Sequence, residues 1–305
     1  MSSSVRVAGA GRVPLRIWLA AARPRTLPAV ISPVLVGTAL AGSEDVFRPL
    51  AALAALIGSV FIQIGTNLAN DYSDARRGAD AEDRLGPVRV TASGLLAPRQ
   101  VLMATWLAFG VAVLAGIYLI AVVGWELLPV GVASILAGVL YTGGPKPYGY
   151  QGLGELFVFL FFGLVAVVGS YYVQTEDLRA IAFELAVPVG LLAAAILMVN
   201  NVRDIDTDRR VGKRTLAVAL GRRRARRLYA LTVLLAYAIT ILVAASGEGP
   251  AWILLSLLSA PLAPPLMRTV TNRRDGPSLN AALAGTGRLL AVYSVLLSLG
   301  LLLSG

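Results

Sequence analysis

The chain has 305 residues, 57% of them apolar and only 14% charged, where a soluble domain carries about a quarter. Together with a mean hydropathy of +0.74, this puts most of its mass in a lipid bilayer. There is no cysteine and no histidine, which excludes disulfides, zinc sites built on thiolate or imidazole, and histidine-based general bases or triads; any metal is held by oxygen, as suits magnesium, calcium or manganese.

Residues 1–22 read as a short basic tail rather than a cleavable signal, because further spans follow the first apolar run. The remainder, 23–305, reads as one all-α transmembrane domain of nine helices, over roughly 24–42, 50–70, 100–122, 127–143, 154–173, 184–202, 228–246, 250–268 and 284–304. These runs are too long for the alternating strands of a β-barrel. The fourth is short, and APLAPP in the eighth predicts a kink or an early end. The loops alternate in character. Those near 43–49, 124–126, 174–179 and 247–249 are short and mostly acidic, and all of the 27 Lys and Arg except Arg48 and Arg179 fall on the opposite side. This asymmetry predicts a multi-pass protein of the plasma membrane with its N-terminus in the cytoplasm and its C-terminus outside. The net charge of +10 then serves topology and contact with membrane lipids; no separate soluble domain exists to carry a nucleic-acid-binding face.

At the end of the second span Asn67, Asn70, Asp71 and Asp74 share one helical face. As simple caps they are badly placed, since carboxylates at a helix C-terminus meet the negative end of its dipole and repel each other. A bound cation removes both objections. The motif (67–83) runs on through Asp80, Glu82 and Asp83 into a loop shared with Arg76, Arg77 and Arg84, where solvated charge is an equal explanation. Thr91, Ser93 and Gly94 suit a turn back to the membrane.

A second stripe, Asn200, Asp204 and Asp208, ends the sixth span within a motif at 200–215; Asp206 lies off the stripe. Ionisable groups at a membrane edge are costly unless paired or wet, so two such stripes on one side, in separate halves, are poorly explained as capping. Two carboxylate clusters without histidine suit a hard divalent cation, and magnesium (or manganese) is commonly shared with substrate phosphates. Arg203, Lys213 and Lys146 add positive charge for a diphosphate. The surrounding apolar helices suit a long hydrocarbon. Asp71, Asp74, Asp204 and Asp208 are therefore the expected metal ligands, and the residues point to ionisation of a lipid diphosphate at the membrane face.

NLANDYSD and NNVRDIDTD resemble the two aspartate-rich motifs of the UbiA-type intramembrane prenyltransferases, and more narrowly the branch that prenylates 1,4-dihydroxy-2-naphthoate. The family's N-D-x-x-D-x-x-x-D appears as NDYSDARRG, with Gly78 at the last aspartate position and Asn67 matching an upstream asparagine of that branch. The second motif matches at Asn200, Asn201, Arg203, Asp204 and Asp208. ARPRTLPAVISPVLVG, YTGGPKPYGYQGLGELFVFLFFG and LNAALAGTGR extend the likeness over nearly the whole chain. The resemblance implies a nine-helix bundle with both motifs facing a central cavity and magnesium bridging them to a polyprenyl diphosphate. It also implies attack on the resulting allylic cation by the ring carbon of 1,4-dihydroxy-2-naphthoate that bears the carboxylate, with loss of carbon dioxide. The acceptor rests on the resemblance alone.

Several residues carry two readings. Lys146 is a topology-marking lysine or a cation near the diphosphate or acceptor carboxylate. Tyr148 and Tyr150 are interface aromatics or orient a phenolic substrate. Arg23 anchors the first span at the interface or meets an acidic substrate group. Glu155 suits the dipole at a helix start, Asn280 reads as a cap, and Arg288 as a snorkelling interface residue. The competing functions are a prenyltransferase of the same fold acting on 4-hydroxybenzoate or homogentisate, and a cation-coupled transporter. The latter is disfavoured because its polar residues belong near the bilayer midplane.

Overall fold

The computed structural model describes residues 14–79, 85–86, 88–247 and 249–305. Asp80, Glu82, Asp83 and Arg84 lie outside the described residues, as does most of the basic tail. Every regular element among the described residues is helical. In chain order they are α1 (Leu15–Ala22), α2 (Pro28–Gly42), α3 (Pro49–Arg76), α4 (Pro98–Val122), α5 (Leu127–Leu140), α6 (Gly154–Thr175), α7 (Ala180–Arg210), α8 (Arg222–Ser246), α9 (Ala251–Asn272) and α10 (Gly276–Leu302). A helical turn, Leu216–Leu220, precedes α8.

Seven of these, α3, α4 and α6 to α10, are long and apolar enough to cross a bilayer. α1 and α2 form a pair bent by 54°. The bend falls at Leu27, after a 3₁₀ turn, Pro24–Thr26, that continues α1; Arg23 ends the α-helical part, held in the left-handed region at φ 56 because the following Pro24 crowds the helical alternative. Thus residues 15–22, at the end of the expected tail, are helical. α5 has 14 residues and spans about 21 Å, short of a bilayer core of about 30 Å.

Pro28, Pro49 and Pro98 open α2, α3 and α4 where a missing N–H costs nothing. α9 begins as a 3₁₀ run, Ala251–Leu262, and becomes α-helical at Ala263; the prolines of APLAPP change the helix type rather than ending it. α6 carries a π segment, Phe159–Val165. It lies where Gly163 meets Gly190 of α7, so closely that a Cβ on Gly163 would stand 2.6 Å from the Gly190 Cα.

α7 is the central helix and packs on α2, α6, α8 and α10 through Leu185, Val189, Leu192, Val199 and Val202, all fully buried. Across α8, α9 and α10, Tyr229 pairs with Thr286 (2.9 Å) and Tyr237 with Ser259 (2.8 Å), satisfying buried hydroxyls that lipid cannot. α3 and α7 run on to Arg76 and Arg210, past the limits near 70 and 202 set by hydropathy. Hydropathy stops where charge begins; the helices continue because their polar faces find partners inside the protein.

The glycine contacts give a direct check. Gly190→Val should lower the melting temperature of the purified protein in detergent, because the bulk meets the α6 backbone and overpacking costs about 1–3 kcal/mol. Gly110→Ala, with open space around it, should melt as wild type does.

Candidate active site

The last turns of α3 and α7 face a cavity of about 540 Å³, which continues between α4, α5 and α6 as an apolar channel. Asn67, Asn70 and Asp74 of α3, and Asn200, Asn201, Asp204 and Asp208 of α7, line its polar end together with Arg23, Arg89 and Lys213. The helical spacing that put each stripe on one face therefore also turns the second stripe, and Asn67, Asn70 and Asp74 of the first, toward one space.

Asp74 has no exposed surface and three side-chain partners. Its Oδ2 accepts from Arg89 Nη2 at 2.7 Å and from Lys213 Nζ at 3.1 Å, and its Oδ1 accepts from the Tyr150 hydroxyl at 2.6 Å. The Lys213 ammonium also lies 4.7 Å from the centre of the Tyr150 ring. Asp71, one turn earlier, does not line the cavity. Its carboxylate accepts the backbone N–H groups of Val90 (3.1 Å) and Thr91 (2.8 Å) and so anchors the turn at 89–94. That turn returns to the bundle as its Thr, Ser and Gly suggest, with Val90 and Leu96 buried against Leu68.

On α7, Arg203 is almost wholly buried and grips Asp204 through two bonds, Nε to Oδ1 at 2.8 Å and Nη2 to Oδ2 at 2.6 Å. It also donates to Asn200 Oδ1 (2.8 Å) and Asn280 Oδ1 (2.6 Å). Asn280 is thus no cap: α10 starts at Gly276 with Asp275 capping Ser278, and Asn280 joins α10 to the second motif. Asn201 donates to the buried Glu155 at 2.8 Å. Asp208, half-buried, lines the cavity, and its carbonyl accepts from the Lys213 N–H at 2.9 Å. Asp206 points away and pairs with Arg222 at 2.7 Å.

Asn67 donates to the Ala22 carbonyl (3.0 Å) and Thr26 hydroxyl (3.3 Å), tying α3 to the α1–α2 bend and bringing Arg23 to the cavity. Asn70 accepts from Thr142 at 2.8 Å. Tyr148 donates to the Ala137 carbonyl at 2.8 Å and stacks on Phe157, ring centres 3.9 Å apart, with Tyr141 edge-on at 5.4 Å. Burial pushes the Tyr148 phenol up, which keeps it a proton donor. Lys146 is exposed and is not among the residues lining the cavity. Arg89 and the Asp74 contact of Tyr150 escaped the sequence reading: a lone arginine beyond the acidic loop has no periodicity to mark it.

Among the described residues no three acidic side chains come close enough to cage a metal ion. The donors that line the cavity are nevertheless all oxygen, from two helices, with cations beside them. This set fits a magnesium-type ion completed by substrate phosphate and water, not a closed protein cage.

The UbiA prenyltransferase family model matches residues 30–303. The 1,4-dihydroxy-2-naphthoate octaprenyltransferase of Mycobacterium leprae is 42% identical, covering 94% of this chain and 97% of the relative. The protein of that name from Escherichia coli is 39% identical, covering 94% and 95%. Among solved structures, a UbiA homolog from Archaeoglobus fulgidus bound to GPP and Mg2+ superposes with a TM-score of 0.64 at 14% identity, covering 92% of this chain and 99% of that one. The apo UbiA homolog from Aeropyrum pernix K1 gives 0.66 at 16% identity, covering 88% and 96%.

The ion pairs of Asp74 and of Asp206 differ in exposure, and so in what their loss costs. Asp74→Ala removes the buried carboxylate that Arg89 and Lys213 share and should destabilise by about 3–5 kcal/mol. Asp206→Ala, whose side chain is 76% exposed, should cost less than about 1 kcal/mol. Thermal and denaturant unfolding of both variants in detergent checks the order.

Proposed function

The chain belongs to the UbiA prenyltransferase family, and from that premise we propose that it transfers an all-trans polyprenyl group from polyprenyl diphosphate to 1,4-dihydroxy-2-naphthoate. Diphosphate and carbon dioxide leave, and demethylmenaquinol is formed. The observation that carries this reading is the cavity itself, whose charged end of carboxylates and cations opens into an apolar channel. The relatives named for this reaction match nearly the full chain.

Arg23, Arg89 and Lys213 line the charged end and would bind the phosphate oxygens, holding the negative charge that develops as the carbon–oxygen bond breaks. Asp74, Asp204 and Asp208 would hold a divalent cation, magnesium or manganese, which when bound adds positive charge at the departing phosphate. Asp71 acts one step back by fixing the turn that carries Arg89. Asn67, Asn70, Asn200, Asn201 and Arg203 hold the two motifs in register with their neighbours. The stacked rings of Tyr148 and Phe157, with Tyr141 edge-on beside them, offer flat apolar faces to a naphthalene ring. The apolar wall excludes water, which would otherwise capture the allylic cation.

In the membrane we assign nine spans: the seven long helices, the bent α1–α2 pair and the short α5. Residues 23–305 form the catalytic domain. The charge asymmetry supports a cytoplasmic opening of the cavity at the plasma membrane, because the carboxylate ends of α3 and α7 lie on the arginine-rich side. The chain has no native cysteine, so single cysteines at positions 45 and 210 report cleanly on sidedness. They should label from opposite faces of oriented vesicles; labelling from one face overturns the assignment.

The reaction is tested by incubating purified protein with magnesium, a polyprenyl diphosphate and a panel of aromatic acids. Mass analysis should find demethylmenaquinol; a prenylated 4-hydroxybenzoate in its place would reassign the acceptor. EDTA should abolish turnover and magnesium restore it. Asp208→Asn should lower the rate by roughly a hundredfold at an unchanged melting temperature, since it removes a carboxylate ligand with little change of shape.

A further inference from the structure

The cavity is too small for what the proposed reaction brings to it. About 540 Å³ is the room a single drug-sized ligand fills. A diphosphate, a naphthoate and the first isoprene units share it, so a tail of many isoprene units runs on past its far end. That end lies opposite the carboxylates: α4 leads away from them to Val122, α5 starts there at Leu127, and α6 ends there at Thr175.

α5 is the weak wall at this end. It is short, it packs on α3 and α4, and it makes no substantial packing with α6. Leu127, Leu128, Val130, Val132, Ile135 and Ala137, spread over more than half of its circumference, line the cavity. Across the gap the opposite wall is α6, through Gly169, Ser170 and Val173. Among the described residues a bond crosses the seam at its far end: the Tyr172 hydroxyl donates to Glu126 Oε1 at 2.6 Å. Tyr172 directly precedes the lining residue Val173, and Glu126 directly precedes Leu127. The corner before α5 is shaped for this bond. Gly124 takes φ 154, and a Cβ there would collide with the Glu126 carboxylate folded back over it. The Tyr172 bond also draws the Glu126 carboxyl below its usual range.

We propose that the Glu126–Tyr172 pair is a chain-length determinant: closed, it bounds the tail end of the cavity, and it opens to let a long polyprenyl tail pass between α5 and α6. The neighbouring polar contacts at this end, Tyr171 with Glu44 (2.8 Å), Arg48 with Glu176 and Arg179 with Glu44 (2.7 Å), tie α6 and the loop after it to the α2–α3 loop and leave the α5 seam alone. A single hydrogen bond at the solvent edge holds strongly enough to bias the seam and weakly enough to yield to a bound tail.

This inference rests on the prenyl-transfer reading, and the experiment separates the two. Turnover of 1,4-dihydroxy-2-naphthoate is measured with geranyl, farnesyl, geranylgeranyl and octaprenyl diphosphate, with binding of each donor read independently by thermal shift. Tyr172→Phe, Glu126→Ala and Gly124→Ala should each raise kcat/KM for octaprenyl relative to geranyl donor by roughly two- to tenfold, the range of one net hydrogen bond. Glu126→Gln, which keeps an acceptor oxygen, should stay near the wild-type ratio. Equal ratios in all four variants, at preserved melting temperature, overturn the proposal, as does a uniform loss with every donor. If the wild type binds donors but transfers none, the reaction fails; the donor-length dependence of binding then still decides the latch.

Discussion

The architecture depends on one electrostatic constraint: Asp74 is a carboxylate with no exposed surface, and such a charge persists only with partners close at hand. Its partners arrive from three separate places, Arg89 from the turn after α3, Tyr150 from the connection between α5 and α6, and Lys213 from the connection after α7. The backbone follows the charges. Asp71 takes the N–H groups of Val90 and Thr91, and the Arg214 N–H donates to the Tyr150 carbonyl at 3.0 Å, so the segments that deliver the cations are themselves pinned. The roof of the cavity is thus assembled around the end of one helix.

Arg203 plays the matching part on α7. A guanidinium presents five donors in a rigid plane, and here they reach Asp204, Asn200 and Asn280 at once. Asn280 continues the chain to the Leu85 carbonyl at 2.9 Å, which brings α10 and the loop after α3 to the same end. Glu155 anchors Asn201 from α6. Each motif helix is therefore held by a network of its own, and Lys213, from the segment after α7, joins the two at Asp74. Such preorganisation lets charged groups meet a charged substrate without rearranging at the moment of reaction.

Beyond the polar end the demands reverse. Directed bonds are few there, Tyr172 to Glu126 at the edge among them, and the channel is shaped by small residues and helix irregularity. The π segment of α6 and the Gly163–Gly190 contact press α6 against α7 on one side, while α5 stands off on the other. A polar site with many bonds and an apolar channel with few divide the molecule into a rigid end and a compliant one.

The sequence alone was enough for the membrane-bound helical class, for the two carboxylate stripes and for the family, because hydropathy and helical spacing are local properties of the chain. The stripes at Asn67–Asp74 and Asn200–Asp208 are legible since each lies on one continuous helix, where three- and four-residue steps map directly onto one face. Which partners those faces meet is not local. Asp71 and Asp74 carry the same side chain one turn apart, yet one holds a loop and the other faces the cavity. Arg89 and Lys213 lie 15 and 139 residues from the aspartate they share. Lys146 sits in the most recognisable block of the chain but stays exposed, while Arg89, with no motif around it, is buried at the site. Only the tertiary structure decided these roles, because pairing a buried charge depends on which loops close over it, and loop closure is set by the packing of the whole bundle.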